Sequence, residues 1–224
     1  MNMKKMLAVC AFLGTLAAAQ VAQNANSAYQ TKEGRERLAA RLGDPHRDTE
    51  QKPGDLAEAM HLKPGTTVAD VGTGVGYMLP WLSKAVGAAG HVLAEDIHED
   101  FLDAARAKAK SDGLANVAFV LGGETDPSLP AGVVDAELVL DVYHHFDYPE
   151  KMLANLRRAL APGGRLFIVD YYKRPDAMPG QDAVKHIRLD KDDVIAEIEK
   201  NGFRLVSQHE HRPGSQYMAV FERQ

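Results

Sequence analysis

A chain of 224 residues suits one α/β domain plus an appendage. Its 45% hydrophobic and 25% charged residues are ordinary for a soluble globular protein. A net charge of −5 with no local Lys/Arg run leaves no electrostatic footprint for nucleic acid, and there is no internal repeat or low-complexity tract.

The amino terminus begins with the basic Met1-Asn-Met-Lys-Lys5, continues without charge from residue 6 to residue 19, and ends in Ala17-Ala-Ala19. That order of basic, apolar and small residues predicts a secretory signal peptide over residues 1–19, the alternative being an uncleaved apolar cap helix. The apolar run is too short to cross a bilayer as a stable helix. Removal of the signal implies a periplasmic or secreted protein; a cytoplasmic one follows if the segment is no signal. Leu7-Ala-Val-Cys10 lies too close to Lys5 to form a lipoprotein box. Cys10 is the only cysteine, so the mature chain would have no disulfide, thiolate metal site or cysteine nucleophile.

Residues 20–53 form the appendage. Positions 20–28 are small and polar, as in a linker. Residues 32–42 have helical spacing through Leu38 and Leu42 and stop at Gly43-Asp-Pro45. Arg47-Asp-Thr-Glu-Gln-Lys-Pro53 is dense in polar groups and reads as a solvated loop or a lid. The main domain, residues 54–224, opens with a short helix over 55–61 and the turn Pro64-Gly65.

The central stretch is Val68-Ala-Asp-Val-Gly-Thr-Gly-Val-Gly76, followed by Leu79, Leu82 and Val86 at helical spacing. It reads as a buried strand, a tight glycine turn and a helix N-terminus, the arrangement that builds ligand crevices in open α/β sheets. Dinucleotide sites use Gly-x-Gly-x-x-Gly. Here the third glycine comes one position early, at Gly76, and Tyr77 stands where that pattern wants glycine. Asp70 would aim a carboxylate at the crevice, which suits a cationic ligand better than a phosphate. The stretch resembles motif I of the class I S-adenosylmethionine-dependent methyltransferases, whose cofactor carries an ammonium and a sulfonium. The resemblance implies cofactor contacts from Asp70, Gly72, Thr73, Gly74 and Gly76. It also makes Arg47, Asp48, Gln51 and Lys52 candidates for a lid, since related enzymes often close the crevice with residues ahead of motif I.

Residues 91–97 read as the second strand. An acid at its end, about 20 residues past the glycine turn, accepts hydrogen bonds from ribose hydroxyls in such folds. Asp96 matches that place and Glu95 is the alternative; both would otherwise serve as acids ahead of the helix over 99–111. Residues 116–121 alternate as a third strand. The family commonly puts an acid just after it to receive the adenine amino group. Gly123 occupies that place here, leaving Glu124 or Asp126. Residues 133–140 are the nearly all-apolar run of a buried parallel strand. They lead into Asp141-Val-Tyr-His-His-Phe146, similar to the family region that holds the methyl acceptor. Asp141 is assigned to the cofactor set, and Tyr143, His144 and His145 to catalysis, with one histidine able to take a proton from a hydroxyl or amine. Because a strand end sends neighbours to opposite sides, one of the pair is expected to point inward.

The stretch lacks the Asp/Asn-Pro-Pro-Tyr of methyltransferases that act on nucleic-acid bases or protein glutamine. Asp141 and Asp170 are placed like the acids of metal-dependent catechol-type enzymes. The second is followed by Tyr171 rather than asparagine, and two carboxylates alone are a thin Mg²⁺ site, so no metal ligand set is assigned. An amphipathic helix is predicted over 148–161, broken by Pro162-Gly-Gly164 before a fifth strand over 165–171. Asp170 and Tyr171 then begin a long connection suited to binding substrate. His186 within it is a candidate to line that site, although a lone histidine is more often structural. A helix over 192–201 and two closing strands, 203–209 and 215–222, complete the chain. His209 and His211 share a strand face, but without a third ligand nearby they read as a solvated edge.

The expected fold is α/β: a Rossmann-like, seven-stranded, mostly parallel sheet with an antiparallel last strand and helices on both faces. The expected activity is S-adenosylmethionine-dependent methyl transfer to a small-molecule oxygen or nitrogen acceptor, with no nucleic-acid partner. An exported, non-catalytic binding protein of the same fold and, more weakly, a nicotinamide oxidoreductase are the alternatives. Export sits awkwardly with a cofactor made in the cytoplasm.

Overall fold

The computed structural model of the protein describes residues 20–224; the expected signal peptide lies outside the described residues. Four short helices come first: α1 (Gln23–Asn26), α2 (Lys32–Leu42), α3 (Arg47–Gln51) and α4 (Pro53–Ala59). The segment read as a polar loop or lid is therefore helical at α3, with Gln51 buried.

Strands β1 (Thr67–Val71), β2 (His91–Asp96), β3 (Val117–Leu121), β4 (Val134–Leu140) and β5 (Leu160–Tyr171) run parallel. The hairpin of β6 (Phe203–Arg212) and β7 (Gln216–Arg223) adds β7 antiparallel to β5, giving the order β3-β2-β1-β4-β5-β7-β6. Helices α5 (Leu79–Val86) and α6 (Glu99–Ser111) join the first three strands, α7 (Pro149–Ala159) joins β4 to β5, and α8 (Ala183–His186) and α9 (Lys191–Lys200) precede β6. This is the Rossmann-like, seven-stranded sheet expected from the sequence.

Alternation along the strands divides the core in two. On β1, Val68 belongs with Leu56, Leu79, Leu82 and Val86 of the α4–α5 side. Ala69 and Val71 belong with Leu153, Leu156 and Ile198 of the α7–α9 side. Because the chain builds outward from β1 through β2 to β3, then returns to place β4 on the other flank, a crevice opens at the carboxyl ends of β1 and β4.

One boundary differs from expectation. The helix α7 stops at Ala159, and Leu160 already pairs with Val134, while Arg165 pairs with Ala136. Pro162-Gly-Gly164 is thus a bulge inside β5 rather than a break before it. Leu160 is fully buried, and a Cβ on Gly164 would come 2.8 Å from the Val134 carbonyl oxygen, so the bulge needs a bare residue there.

Glu137 of β4 is fully buried, on the face that carries Val139, and neither of its carboxyl oxygens finds a partner among the described residues. Burial alone pushes its carboxyl well above the ordinary value of 4.5. The folded chain therefore holds a proton that the unfolded chain has released, and stability falls as pH rises above about 4.5. Glu137→Met should raise stability at pH 8 by roughly 1–3 kcal/mol and flatten its decline between pH 5 and 8. Urea unfolding at both pH values checks this; an unchanged or lower stability at pH 8 contradicts it.

Candidate functional site

The crevice is built on the glycine turn. After β1, Gly72, Gly74 and Gly76 have φ of +70°, +56° and +82°, in the left-handed region that L side chains avoid. Two of them are also crowded: a Cβ on Gly72 would lie 2.6 Å from Val142, and one on Gly76 would lie 2.8 Å from Leu79. The turn can only be traced by bare backbone, and its amide groups are left pointing at neighbouring acids.

Those acids end β2. Gly74 N–H donates to Asp96 Oδ2 at 2.9 Å, and His98 N–H donates to Asp96 Oδ1 at 2.9 Å. Gly72 N–H donates to Glu95 Oε2 at 3.2 Å and Thr73 N–H to the Glu95 carbonyl at 2.8 Å. Glu95 Oε1 has no partner among the described residues and lies where a Cβ on Gly122 would stand, so Gly122 makes room for it. Asp70, at the end of β1, accepts from Thr73 Oγ1 at 2.7 Å. Burial pushes Asp70 up to about 6, against the lowering effect of the Thr73 hydroxyl. Burial likewise raises Asp96 to about 6, against the His98 and Gly74 amides. Glu95 is raised well above its usual range by burial and then by Asp96. All three acids line one cavity.

A second wall comes from the expected linker and the two residues after it. Tyr29 stacks on His98 at 5.9 Å, meets Phe101 edge-on at 6.1 Å and meets His145 edge-on at 4.9 Å. It roofs the cavity from the β2 end to the histidines. Asp147 fastens this strap: Ala22 N–H donates to its Oδ1 and Asn26 Nδ2 to its Oδ2, both at 2.9 Å. Arg35 adds hydrogen bonds to the Tyr29 carbonyl at 2.8 Å and to Asp100 at 2.7 Å.

The far end follows β4. Asp141 takes a left-handed φ of +57°, a conformation that aspartate tolerates, and turns the chain into a 3₁₀ turn, Tyr143–His145. Asp141 accepts from Arg47 Nη2 at 3.2 Å and from the Gln51 and Gln216 amides, so α3 is clamped to the end of β4. Within the 3₁₀ turn, neighbours do not diverge as they do on a strand. Strand alternation is not what sets the pair: the two rings lie 4.1 Å apart, and of the two only His145 lines the cavity. His144 is buried, its backbone N–H and Nδ1 both on the Asp170 carboxylate at 3.1 and 2.7 Å. His145 lines the cavity, with Nδ1 2.8 Å from Asn26 Oδ1. His186 of α8 lies 5.1 Å from the His144 ring and 5.5 Å from the His145 ring. Burial lowers both His145, well below the ordinary 6.5, and His186, to about 4.

The structure thus brings Asp70, Gly72, Thr73 and Gly74 to one cavity, with Glu95, Asp96, Glu124, Asp141 and His145. Other residues singled out in the sequence stand elsewhere. Gly76 is in the packing under α5. Tyr143 turns into the core, where its hydroxyl donates to Glu197 at 2.7 Å. Asp170 stands behind His144, Tyr171 packs among Ala177, Met178 and Ile187, and Asp126 is turned to Arg158. Sequence reasoning missed Asn26, Tyr29, Asp147, His98 and Phe101. Only Tyr29 left a signal, as the sole aromatic ring among residues 20–53 apart from His46.

Comparison with known proteins gives a consistent picture. Residues 69–168 match the family described as "Methyltransferase domain". A solved SAM-dependent methyltransferase from Aquifex aeolicus is 32% identical with a TM-score of 0.75, over 82% of this chain and 95% of that one. The ubiquinone/menaquinone biosynthesis C-methyltransferase UbiE of Vibrio campbellii is 30% identical over 112 residues, half of this chain and 43% of that protein. The chain spans less than half the length of the curated relatives it matches. The cyclase SpnF, 16% identical with a TM-score of 0.65 over 77% of this chain and 81% of that one, shares the fold alone, so the reaction has to be argued from the site.

If Asp147 is what holds the strap, Asp147→Ala should weaken that segment by roughly 1–3 kcal/mol through the two unpaired donors it leaves. Hydrogen exchange should then show amides 22–30 losing about 10–100-fold of their protection while β1 and β4 stay protected. Unchanged protection of residues 22–30 contradicts the assignment.

Proposed function

The chain belongs to the class I S-adenosylmethionine-dependent methyltransferases, and we propose that it transfers a methyl group from that cofactor to a small-molecule oxygen or nitrogen acceptor. The observation that carries this reading is the pair of buried carboxylates, Asp70 and Asp96, set beside a bare glycine turn in one cavity at the sheet's switch point.

The donor set fits the cofactor. A cavity floor with raised carboxyl groups, and with Arg47 already held by Asp141, suits a cationic ligand. A phosphate would meet those same acids at close range, which disfavours a dinucleotide. When bound, S-adenosylmethionine supplies an electrophilic methyl group on a cationic sulfur. Asp70, Thr73 and the backbone of the turn would hold its charged amino-acid end, and Asp96 would accept from its ribose hydroxyls. Both oxygens of Asp96 already take one backbone N–H each, and a carboxylate has further lone-pair sites to offer. Tyr29 covers the site and keeps water from the reacting groups.

At the other end, His145 presents a ring to the cavity while Phe146 and Met152 supply apolar wall. A neutral imidazole there is able to take the proton of a hydroxyl or amine, which favours a heteroatom acceptor. The protein's main contribution would be alignment of acceptor and methyl group. The export reading stands beside this one: the pattern of residues 1–19 supports a cleaved signal, and amino-terminal sequencing of the periplasmic or secreted protein should begin at Gln20. A chain beginning at Met1 in the cytoplasm contradicts export.

Titration calorimetry of the full chain should detect binding of S-adenosylmethionine and S-adenosylhomocysteine but not NAD. Asp70→Asn should weaken the first by roughly 10–100-fold, the range of a charge-assisted hydrogen bond. A labelled methyl donor should then mark a small molecule in cell extract and no nucleic acid. Tight NAD binding, or an Asp70→Asn chain that binds the methyl donor as well as the parent, overturns the proposal.

A further inference from the structure

Behind the cavity's far end, three imidazoles meet: His144 and His145 from the 3₁₀ turn and His186 from α8, with one ring nitrogen of each lying within 4.8 Å of the others. How the first two are held decides what the meeting point needs. Asn26 Nδ2 donates to Asp147 Oδ2 at 2.9 Å and to the His145 carbonyl at 3.0 Å. Its Oδ1 is therefore the acceptor facing His145 Nδ1, so that nitrogen carries the proton. Asp170 Oδ1 already accepts the Tyr171 N–H, and its carboxylate receives His144 Nδ1 at 2.7 Å, so that ring too is protonated at Nδ1. Both Nε2 atoms are left as lone pairs.

Two lone pairs cannot satisfy each other. Neither Nε2, nor either nitrogen of His186, makes a hydrogen bond with the described residues. A neutral His186 has one N–H and could serve only one of them. A cation between the rings serves all three. Backing of a ring by a carboxylate or amide oxygen at the remote nitrogen is the arrangement that orients histidines toward a metal.

We propose that His144, His145 and His186 bind a divalent transition-metal ion, with Asp170 and Asn26 fixing the first two rings. Three neutral nitrogen donors and no carboxylate among the ligands suit Zn²⁺, Ni²⁺ or Cu²⁺ and not the oxygen-seeking Mg²⁺ or Ca²⁺. Three protein ligands also leave a coordination position open. His145 is part of the cavity wall, which puts the ion beside the cavity's far end. The metal site stands without the methyl-transfer reading. Its use rests on that reading: the ion would hold the acceptor heteroatom and lower its pKa, replacing His145 as the group that makes the acceptor nucleophilic.

The test uses the full chain freed of metal with a chelator and titrated with Zn²⁺ by calorimetry, then with Co²⁺ followed by visible absorption. The expected result is one ion per chain. His186→Ala should weaken it by at least 100-fold, and Asp170→Asn by about 10–100-fold. The circular dichroism of the metal-free variants should match the parent. S-adenosylmethionine binding is measured on the same samples, so loss of metal with the cofactor retained separates this inference from the proposed function. Absence of stoichiometric Zn²⁺, equal affinity in His186→Ala, or binding abolished by His209→Ala, which would place the ion on the β6 edge, each overturns the site.

Discussion

Removing carboxylates from water is the constraint around which this crevice is arranged. Asp70, Glu95 and Asp96 end adjacent parallel strands, and the sheet buries all three side by side. What offsets the cost is the glycine turn, whose backbone gives the Gly72 and Gly74 amides to the β2 acids and whose Thr73 side chain gives its hydroxyl to Asp70. Only glycine traces that path at Gly72 without striking Val142, and only a bare Gly122 leaves space for Glu95. The motif is therefore a way of keeping negative charge dry and close to a ligand, and burial raises the carboxyl groups despite these donors.

A second buried acid pattern organises the other end of the cavity. Asp147 holds the amino-terminal strap and Asp170 holds His144, and each acts through a neighbour. Asp147 fixes Asn26, which in turn fixes the His145 ring. Tyr29 joins the two ends by touching His98 on one side and His145 on the other. The strap is thus part of the site's architecture, so order in residues 20–30 and shape in the cavity are linked.

The sheet was legible in the sequence because buried parallel strands are apolar runs and the glycine turn is a local signature. Carboxylates at the ends of β1 and β2 were legible for the same reason: their placement needs only strand register. The histidines were less so. A left-handed Asp141 converts the strand's alternation into a 3₁₀ turn, which puts His144 and His145 together and sends Tyr143 into the core. His186 reaches them across a long connection whose path no local pattern states. Residues 20–28 looked like a linker because they are small and polar, and polarity there serves Asp147 and His145 rather than solvent. Pro162-Gly-Gly164 looked like a helix stop because composition cannot tell a break between elements from a bulge within one.

Burial leaves the Asp70 and Asp96 carboxyl groups partly protonated near pH 6, and a cationic ligand would ionise them. Calorimetric titration of S-adenosylmethionine at pH 6 in two buffers of different ionisation enthalpy reads this directly, because the difference in heat counts the protons moved. Binding should release protons at pH 6 and release fewer at pH 8, where Asp70 and Asp96 are already charged. Binding that moves no proton at pH 6, or takes one up, would contradict the account.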